Sequence, residues 1–276
     1  MIVVYQRALK AHSPYRDPAA AAIYRRVAVP AQFGRPARAL VTLLDVAAGE
    51  VVLDVGSGTG AFAGPASKVV GPSGLVVALD RSIEMLEASD TEGRCRRVVG
   101  QTPGLPYRND AFDAVGASFV LAHCPDHAGA LTDMVRVCRP GGRIGITAWG
   151  AKANPAGQLW AHMAATFVDD ERTRQAFHGV LPRQEWFSLV DNVERAFDRG
   201  GLTDIHVETR DYTIEMMSED YVAMKVAGTD GAVIRQLIEP DAWDDFRRRV
   251  HEAFRERFPG PLRFVRDVHF CVGTKR

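Results

Sequence analysis

Apolar residues along this chain fall into short unbroken runs that alternate with segments of helical spacing. Val51-Val52-Leu53 and Leu75-Val76-Val77-Ala78-Leu79 are too short for helices and too continuous for strands with one wet face. Such runs suit parallel strands buried on both sides. The pattern predicts strands over 51–55, 75–79, 94–99, 113–119 and 142–149, with helices over 61–70, 82–89 and 126–138 between them. Strand and helix in alternation predict a parallel sheet covered on both faces.

Outside this stretch the pattern changes. Residues 1–48 read as helical: Asp17-Pro18 is a helix start, with Pro in the first turn, and Pro36 to Leu44 forms a second helix stopped by Gly49. Residues 151–183 are aromatic-rich and read as irregular, and 184–199 as a helix ended by Gly200-Gly201. Residues 203–214 alternate at period two, as a one-sided strand does. Two or three helices follow over 218–258, then a closing strand over 263–272. Internal repeats and low-complexity segments are absent from the sequence.

With 276 residues and 46% hydrophobic content, the chain can bury one large domain, or a domain with a cap. Lys plus Arg equals Asp plus Glu at 34 each, which argues against a nucleic-acid partner. Cys95, Cys124, Cys138 and Cys271 are widely spaced, and read as reduced thiols of a cytoplasmic protein. The expectations are no signal peptide, because Arg7 interrupts a short apolar start, no membrane span, and no metal site, because the histidines lack paired ligand spacing. The hydrophobic N-terminal helices suit packing on their own core or on a second copy in a homo-oligomer.

The chemistry concentrates in Asp54-Val55-Gly56-Ser57-Gly58-Thr59-Gly60, directly after the first core strand. Glycines at alternate positions allow a tight turn and close approach of a ligand. The helix that follows presents N-terminal amides to a polar or negative group. Gly56-x-Gly58-x-x-Ala61 also satisfies the permissive dinucleotide fingerprint. Asp80 ends the next strand, where a carboxylate can accept both hydroxyls of a ribose; a nicotinamide enzyme would share this. In open α/β sheets ligands lie beyond the C-terminal strand ends, where both features fall.

Three further segments separate the alternatives: Asp80-Arg81-Ser82-Ile83-Glu84-Met85-Leu86, with Ser82 as an N-cap; Leu105-Pro106-Tyr107 leading to Ala111-Phe112-Asp113; and Arg136-Val137-Cys138-Arg139-Pro140-Gly141-Gly142-Arg143-Ile144. In this order, over about residues 25–150, the chain resembles the class I S-adenosylmethionine-dependent methyltransferases. The likeness is to the ubiquinone/menaquinone-biosynthesis-type group that includes small-molecule and natural-product enzymes. The resemblance implies a Rossmann-like, doubly wound, seven-stranded α/β sheet with one antiparallel edge strand. It divides the chain into an N-terminal helical lid (1–48), a cofactor-binding core (49–150, completed by 184–215 and 262–276) and a substrate cap (151–183 and 216–261).

The same resemblance implies S-adenosylmethionine as cofactor, leaving S-adenosylhomocysteine as product. Asp54, Gly56, Ser57, Gly58, Thr59 and Gly60 would then hold the methionine end, with glycine amides facing its carboxylate. Asp80 would bind the ribose, and Arg81 and Met85 would border the adenine. Gly100-Gln101-Thr102 departs from the group's Gly-Asp-Ala: either Gln101 accepts from the adenine through its amide oxygen, or it points away and Thr102 contributes. Phe119, Val120 and His123 follow the fourth strand, at the junction of cofactor and acceptor. His123 is a candidate general base, with loop capping as the plainer reading. Tyr15, Trp149, Trp160, Phe177, His178, Met217 and Tyr221 are expected around the acceptor. Tyr5, Tyr15, Tyr24 and Phe33 are expected to close over the cofactor. The implied reaction is methyl transfer to the oxygen, nitrogen or carbon of a small apolar or aromatic metabolite. The alternatives are a non-methylating rearrangement or cyclisation on the same fold, and an NAD-dependent oxidation.

Overall fold

The computed structural model describes residues 2–4, 14–91 and 95–276, so Tyr5 lies outside the described residues. The strands are β1 (Ile2–Val4), β2 (Val51–Val55), β3 (Leu75–Asp80), β4 (Cys95–Val99), β5 (Phe112–Ser118), β6 (Cys138–Trp149), β7 (Leu202–Met216) and β8 (Leu262–Lys275). They form one sheet in the order β1-β4-β3-β2-β5-β6-β8-β7. Pairing is parallel from β1 through β6, and β8 runs antiparallel to both β6 and β7.

Two features differ from the sequence expectation. The sheet has eight strands, because Ile2–Val4, within a segment read as helical, pairs with β4. The antiparallel strand β8 also lies inside the sheet, and β7 forms the edge. Position explains their patterns: β7 is largely half-buried or exposed, whereas β8 is continuously buried where it passes between β6 and β7.

Alternate strand residues feed two cores, as a pleated sheet requires. Val52, Val76 and Ala78 join Leu40, Leu44 and Phe62 on one face. Leu53, Val77 and Leu79 join Met134, Phe187 and Phe197 on the other. The N-terminal elements are α1 (Pro18–Ile23), a π-helical run over Tyr24–Phe33 and α2 (Gly34–Leu43). Asp17 caps α1 by accepting from the Ala19 amide at 2.8 Å. Pro30, which has no N–H to give, lies inside the wide-turned segment. The sheet is flanked by α3 (Ala63–Val70), α4 (Ile83–Glu87) and α5 (His127–Val137). Ser82 caps α4 through the Met85 amide.

Residues 151–183, read as irregular, hold two helices, α6 (Pro155–Ala165) and α7 (Asp170–Val180). Their start signals are Asn154 before Pro155, and Asp169 before two acids; both side chains accept from amides three residues on. The single helix expected over 184–199 is two, α8 (Gln184–Phe187) and α9 (Val190–Arg199). Three helices, α10 (Ser218–Ala227), α11 (Thr229–Leu237) and α12 (Pro240–Arg257), connect β7 to β8.

The β7–β8 pair outruns the sheet. β6 ends at Trp149, opposite Val268, but β7 and β8 continue through six further pairs, Asp211–Asp267 to Met216–Leu262. This ribbon carries α10–α12 to the C-terminal strand ends, where α12 packs on α6 and α11 on α7. Burial sets the expected cost of truncation. Leu53→Ala, fully buried in β2, should cost about 2–5 kcal/mol in chemical denaturation. Leu189→Ala, largely exposed, should stay within about 0.5 kcal/mol of wild type.

Candidate active site

The parallel strands β2, β3, β5 and β6 end at a cavity of about 820 Å³. The turn after β2 forms one wall. Gly56, Gly58 and Gly60 have φ of +68°, +53° and +91°, which disfavour any side chain. A Cβ on Gly56 would lie 2.5 Å from Val120 Cγ2, and one on Gly60 would lie 2.7 Å from Ser89 Oγ. The turn is therefore restricted to glycine by conformation and by packing.

Its amides are differently used from the carried-over pattern. Ser57 N donates to Leu79 O, Gly60 N to Ser57 O, and Gly58 N to Asp80 Oδ2 at 2.8 Å. These three amides are satisfied within the protein, so they do not point freely at a ligand carboxylate. The buried hydroxyls of Ser57 and Thr59, in contrast, have no partner among the described residues. Gly56 and Gly58 line the cavity; Asp54, Ser57, Thr59 and Gly60 stand behind that wall.

Asp80 is the hub of this end. Its second oxygen accepts from Ser82 N at 2.8 Å, and the Ser82 hydroxyl donates to Tyr15 O at 2.6 Å. Each carboxylate oxygen keeps acceptor capacity for a ligand hydroxyl. Burial raises the Asp80 carboxyl above its ordinary range, against the Ser82 and Gly58 amides and Arg81. Asp54 is raised further by burial, opposed by the Ala63 amide it accepts and reinforced by the Asp80 charge. A buried and a part-buried acid whose charges interact, with two hydroxyls that have no partner among the described residues, fit a cationic, multiply hydroxylated ligand. Arg81, Met85, Gly100, Gln101 and Thr102 line the adjoining wall. Both readings of the Gly100 segment stay within reach, although the Thr102 hydroxyl already donates to Ala130 O at 3.4 Å.

In the middle, Phe119 takes φ +60°, a strained conformation for an aromatic residue. Thr147 holds it there: Oγ1 and the carbonyl both accept from Phe119 N. The ring stacks on Trp149 with centroids 4.3 Å apart. Phe33 meets both rings and stacks on Tyr24, which in turn meets Tyr15 edge-on. Tyr15, Tyr24 and Phe33 all line the cavity. The Tyr15 hydroxyl is 3.3 Å from Thr229 Oγ1 on α11, so this segment spans the cavity from Ser82 to the far wall.

His123 also lines the cavity. Burial lowers it to about 4, Arg81 adds to the effect, and the Val180 backbone opposes it. It is neutral at physiological pH and a weak proton acceptor. Burial raises the neighbouring Cys124 to about 11, so it remains a thiol.

Of the seven residues expected around the acceptor, Tyr15, Trp149, Phe177 and Tyr221 line the cavity. Trp160, His178 and Met217 do not. Trp160 is buried edge-on against Phe246 of α12. His178 is exposed, since neighbouring helical positions point about 100° apart and Phe177 takes the inner one. Met217 is half-exposed at the start of α10, and Met224, one heptad later, faces inward. Sequence reasoning missed Gln32, Lys225, Asp230, Phe264 and Arg266. Gln32 donates to Met224 Sδ at 3.0 Å. A signal existed for Arg266: it shares a strand face with Phe264 and Val268, a charge among apolar residues at period two.

Among the described residues no His, Cys, Asp or Glu group could hold a metal ion, and no helix is long and apolar enough to cross a membrane.

Comparison with known proteins agrees with this geometry. A sequence profile described as a methyltransferase domain matches residues 53–146, and one described as protein-L-isoaspartate(D-aspartate) O-methyltransferase matches 5–97. Nocamycin O-methyltransferase of Saccharothrix syringae is 37% identical over 263 residues, 89% of this chain and 92% of that protein. The ubiquinone/menaquinone biosynthesis C-methyltransferase of Hahella chejuensis is 35% identical over 117 residues, 40% of this chain and 47% of its own. Other curated relatives, uncharacterised mycobacterial proteins, are matched over 41% of their length. In fold, the chain is similar to phosphoethanolamine N-methyltransferase 2 of Haemonchus contortus, with TM-score 0.52, 18% identity, 87% of this chain and 52% of that one covered. The glycine turn, the acid hub and the match to a methyltransferase along nearly its full length together show that this chain belongs to the class I S-adenosylmethionine-dependent methyltransferases of the small-molecule type.

Proposed function

We propose that the protein transfers a methyl group from S-adenosylmethionine to a small-molecule acceptor. The observation that carries this is a single cavity joining the glycine turn and Asp80 at one end to Trp149, Phe177 and Tyr221 at the other. In this reading Asp80 receives the ribose hydroxyls. Asp54, behind the glycine wall with Ser57 and Thr59, acts on the methionine ammonium through its charge. Arg81, Met85 and the Gly100–Thr102 segment border the adenine. Residues 1–48 act as a lid, and 151–183 with 216–261 act as a cap over the core of 49–150, 184–215 and 262–276. The packing of α6 on α12 and of α7 on α11 supports the cap assignment.

When bound, the cofactor supplies an electrophilic methyl carbon on a sulfonium centre. The chain's own residues then have to align the acceptor and exclude water. Phe119 and Trp149, held rigid at the waist of the cavity, set where an acceptor atom can stand. The Tyr15–Tyr24–Phe33 aromatic series closes the cavity against solvent. His123 is too weak a base at neutral pH to drive proton removal, so catalysis rests on proximity.

Calorimetric titration should show S-adenosylhomocysteine binding and no heat with NADH; the reverse result refutes the assignment. Asp80→Ala should lose most of that binding. Asp54→Asn tests the buried acids. Because Asp54 has a raised folded-state pKa, its contribution to stability is present at acid pH and is lost as pH rises through that value. The amide keeps the Ala63 bond without the charge. The variant without ligand should therefore melt higher than wild type at neutral pH, while binding S-adenosylhomocysteine about tenfold more weakly. A lower melting temperature with unchanged affinity would refute both roles. His123→Ala should lower kcat by less than about tenfold once an acceptor is in hand, whereas general-base loss would cost about a hundredfold or more.

A further inference from the structure

The far end of the cavity is apolar and aromatic, yet it holds two cations and one carboxylate. Lys225 on α10 and Asp230 on α11 pair at 2.6 Å, so their charges cancel locally. Arg266 on β8 has no equivalent. Among the described residues no carboxylate lies within ion-pair distance of its guanidinium, and its Nε is buried without an acceptor. The guanidinium lies 3.9 Å from the centroid of Trp149, whose ring is stacked with Phe119. This cation–π contact fixes the fork and offsets part of its desolvation. Burial lowers Arg266 below its ordinary value against Tyr221, Asp230 and Asp267, but a guanidinium still stays charged. A charge withdrawn from water without a counter-ion is unfavourable. A ligand oxyanion arriving through the cavity would complete it, with the bidentate geometry for which arginine is suited.

A second observation points the same way. Among the described residues, the histidine, cysteine, tyrosine and lysine side chains of the cavity wall are poor proton acceptors at neutral pH. Burial pushes His123 down to about 4 and Cys124 up to about 11. Burial raises the phenols of Tyr15, Tyr24 and Tyr221, which stay protonated. Burial favours a neutral Lys225, but Asp230 more than reverses this and keeps it an ammonium, and that pairing occupies Asp230 in turn. An acceptor that arrives already ionised needs no base.

We propose that the acceptor carries an anionic oxygen on an otherwise apolar frame, as a carboxylate or as the enolate of an acidic carbonyl compound, and that Arg266 binds this oxygen. The proposal rests on the methyltransferase reading, because it assigns the acceptor half of the same cavity.

The test is calorimetry on protein saturated with S-adenosylhomocysteine. Benzoate and naphthoate are titrated against benzamide and naphthamide, and dimedone, an acidic cyclic diketone, against its neutral enol methyl ether. At least one acid should bind about tenfold or more tightly than its neutral counterpart, and the tighter arm identifies carboxylate or enolate. Arg266→Met should abolish the preference and Arg266→Lys should keep part of it, both with wild-type affinity for S-adenosylhomocysteine. Arg266→Gln serves as a second charge-free variant if Arg266→Met does not fold. Normal S-adenosylhomocysteine binding with no acid preferred overturns the proposal, as does a preference that survives loss of the guanidinium. Silence with S-adenosylhomocysteine overturns the methyltransferase reading instead, and this proposal with it.

Discussion

One carboxylate ties the site together. Asp80 receives the Gly58 amide from the turn after β2 and the Ser82 amide from the start of α4. Ser82 then holds the Tyr15 carbonyl, and Tyr15 reaches Thr229 on α11. A strand end, a glycine turn, a helix start and an N-terminal segment therefore share one electrostatic anchor. The arrangement depends on β2 and β3 pairing in parallel, with Asp54 opposite Ala78 and Val55 opposite Leu79, so that both strands deliver their functional ends to the same edge.

That anchor opposes stability. Asp54 is buried and Asp80 part-buried, and desolvation makes ionising them costly. A cationic, hydroxylated ligand would offset that cost, so affinity and stability are set in opposition at the same atoms. Phe119 shows the same tension in its backbone: a strained φ is held by two bonds to Thr147 and presents a ring at the middle of the cavity.

The far half of the cavity has a different origin. It is built by the length of the β7–β8 pair, which continues past the end of β6 and carries three helices back over the strand ends. Phe264 and Arg266 reach the cavity because they share one face of that extension. Tyr221, Met224 and Lys225 arrive on α10, and Trp149 stands where β6 gives out. This half holds the guanidinium of Arg266, which has no ion-pair partner among the described residues and lies over the Trp149 ring.

The core was legible along the chain: the alternating apolar runs, the glycine turn, the acid at the end of β3 and the caps at Asp17 and Ser82 are local signals, the runs because parallel strands buried on both faces need continuous apolar sequence and the caps because their side chains bond amides two or three residues on. The helices of residues 151–183 were obscured by aromatic residues that mask an amphipathic period, although Asn154-Pro155 and Asp169 mark their starts. Tertiary structure alone decided that β8 runs between β6 and β7, since strand order follows from which partner buries more surface, not from local composition. It alone decided which acceptor-side residues face inward: Phe177 but not His178, Met224 but not Met217, and Trp149 but not Trp160, which α12 covers. It also decided that Arg266 has no ion-pair partner among the described residues while Lys225, on the neighbouring α10, meets Asp230 five residues on, because which charges face each other across α10, α11 and β8 is set by packing geometry, which one-dimensional spacing does not contain.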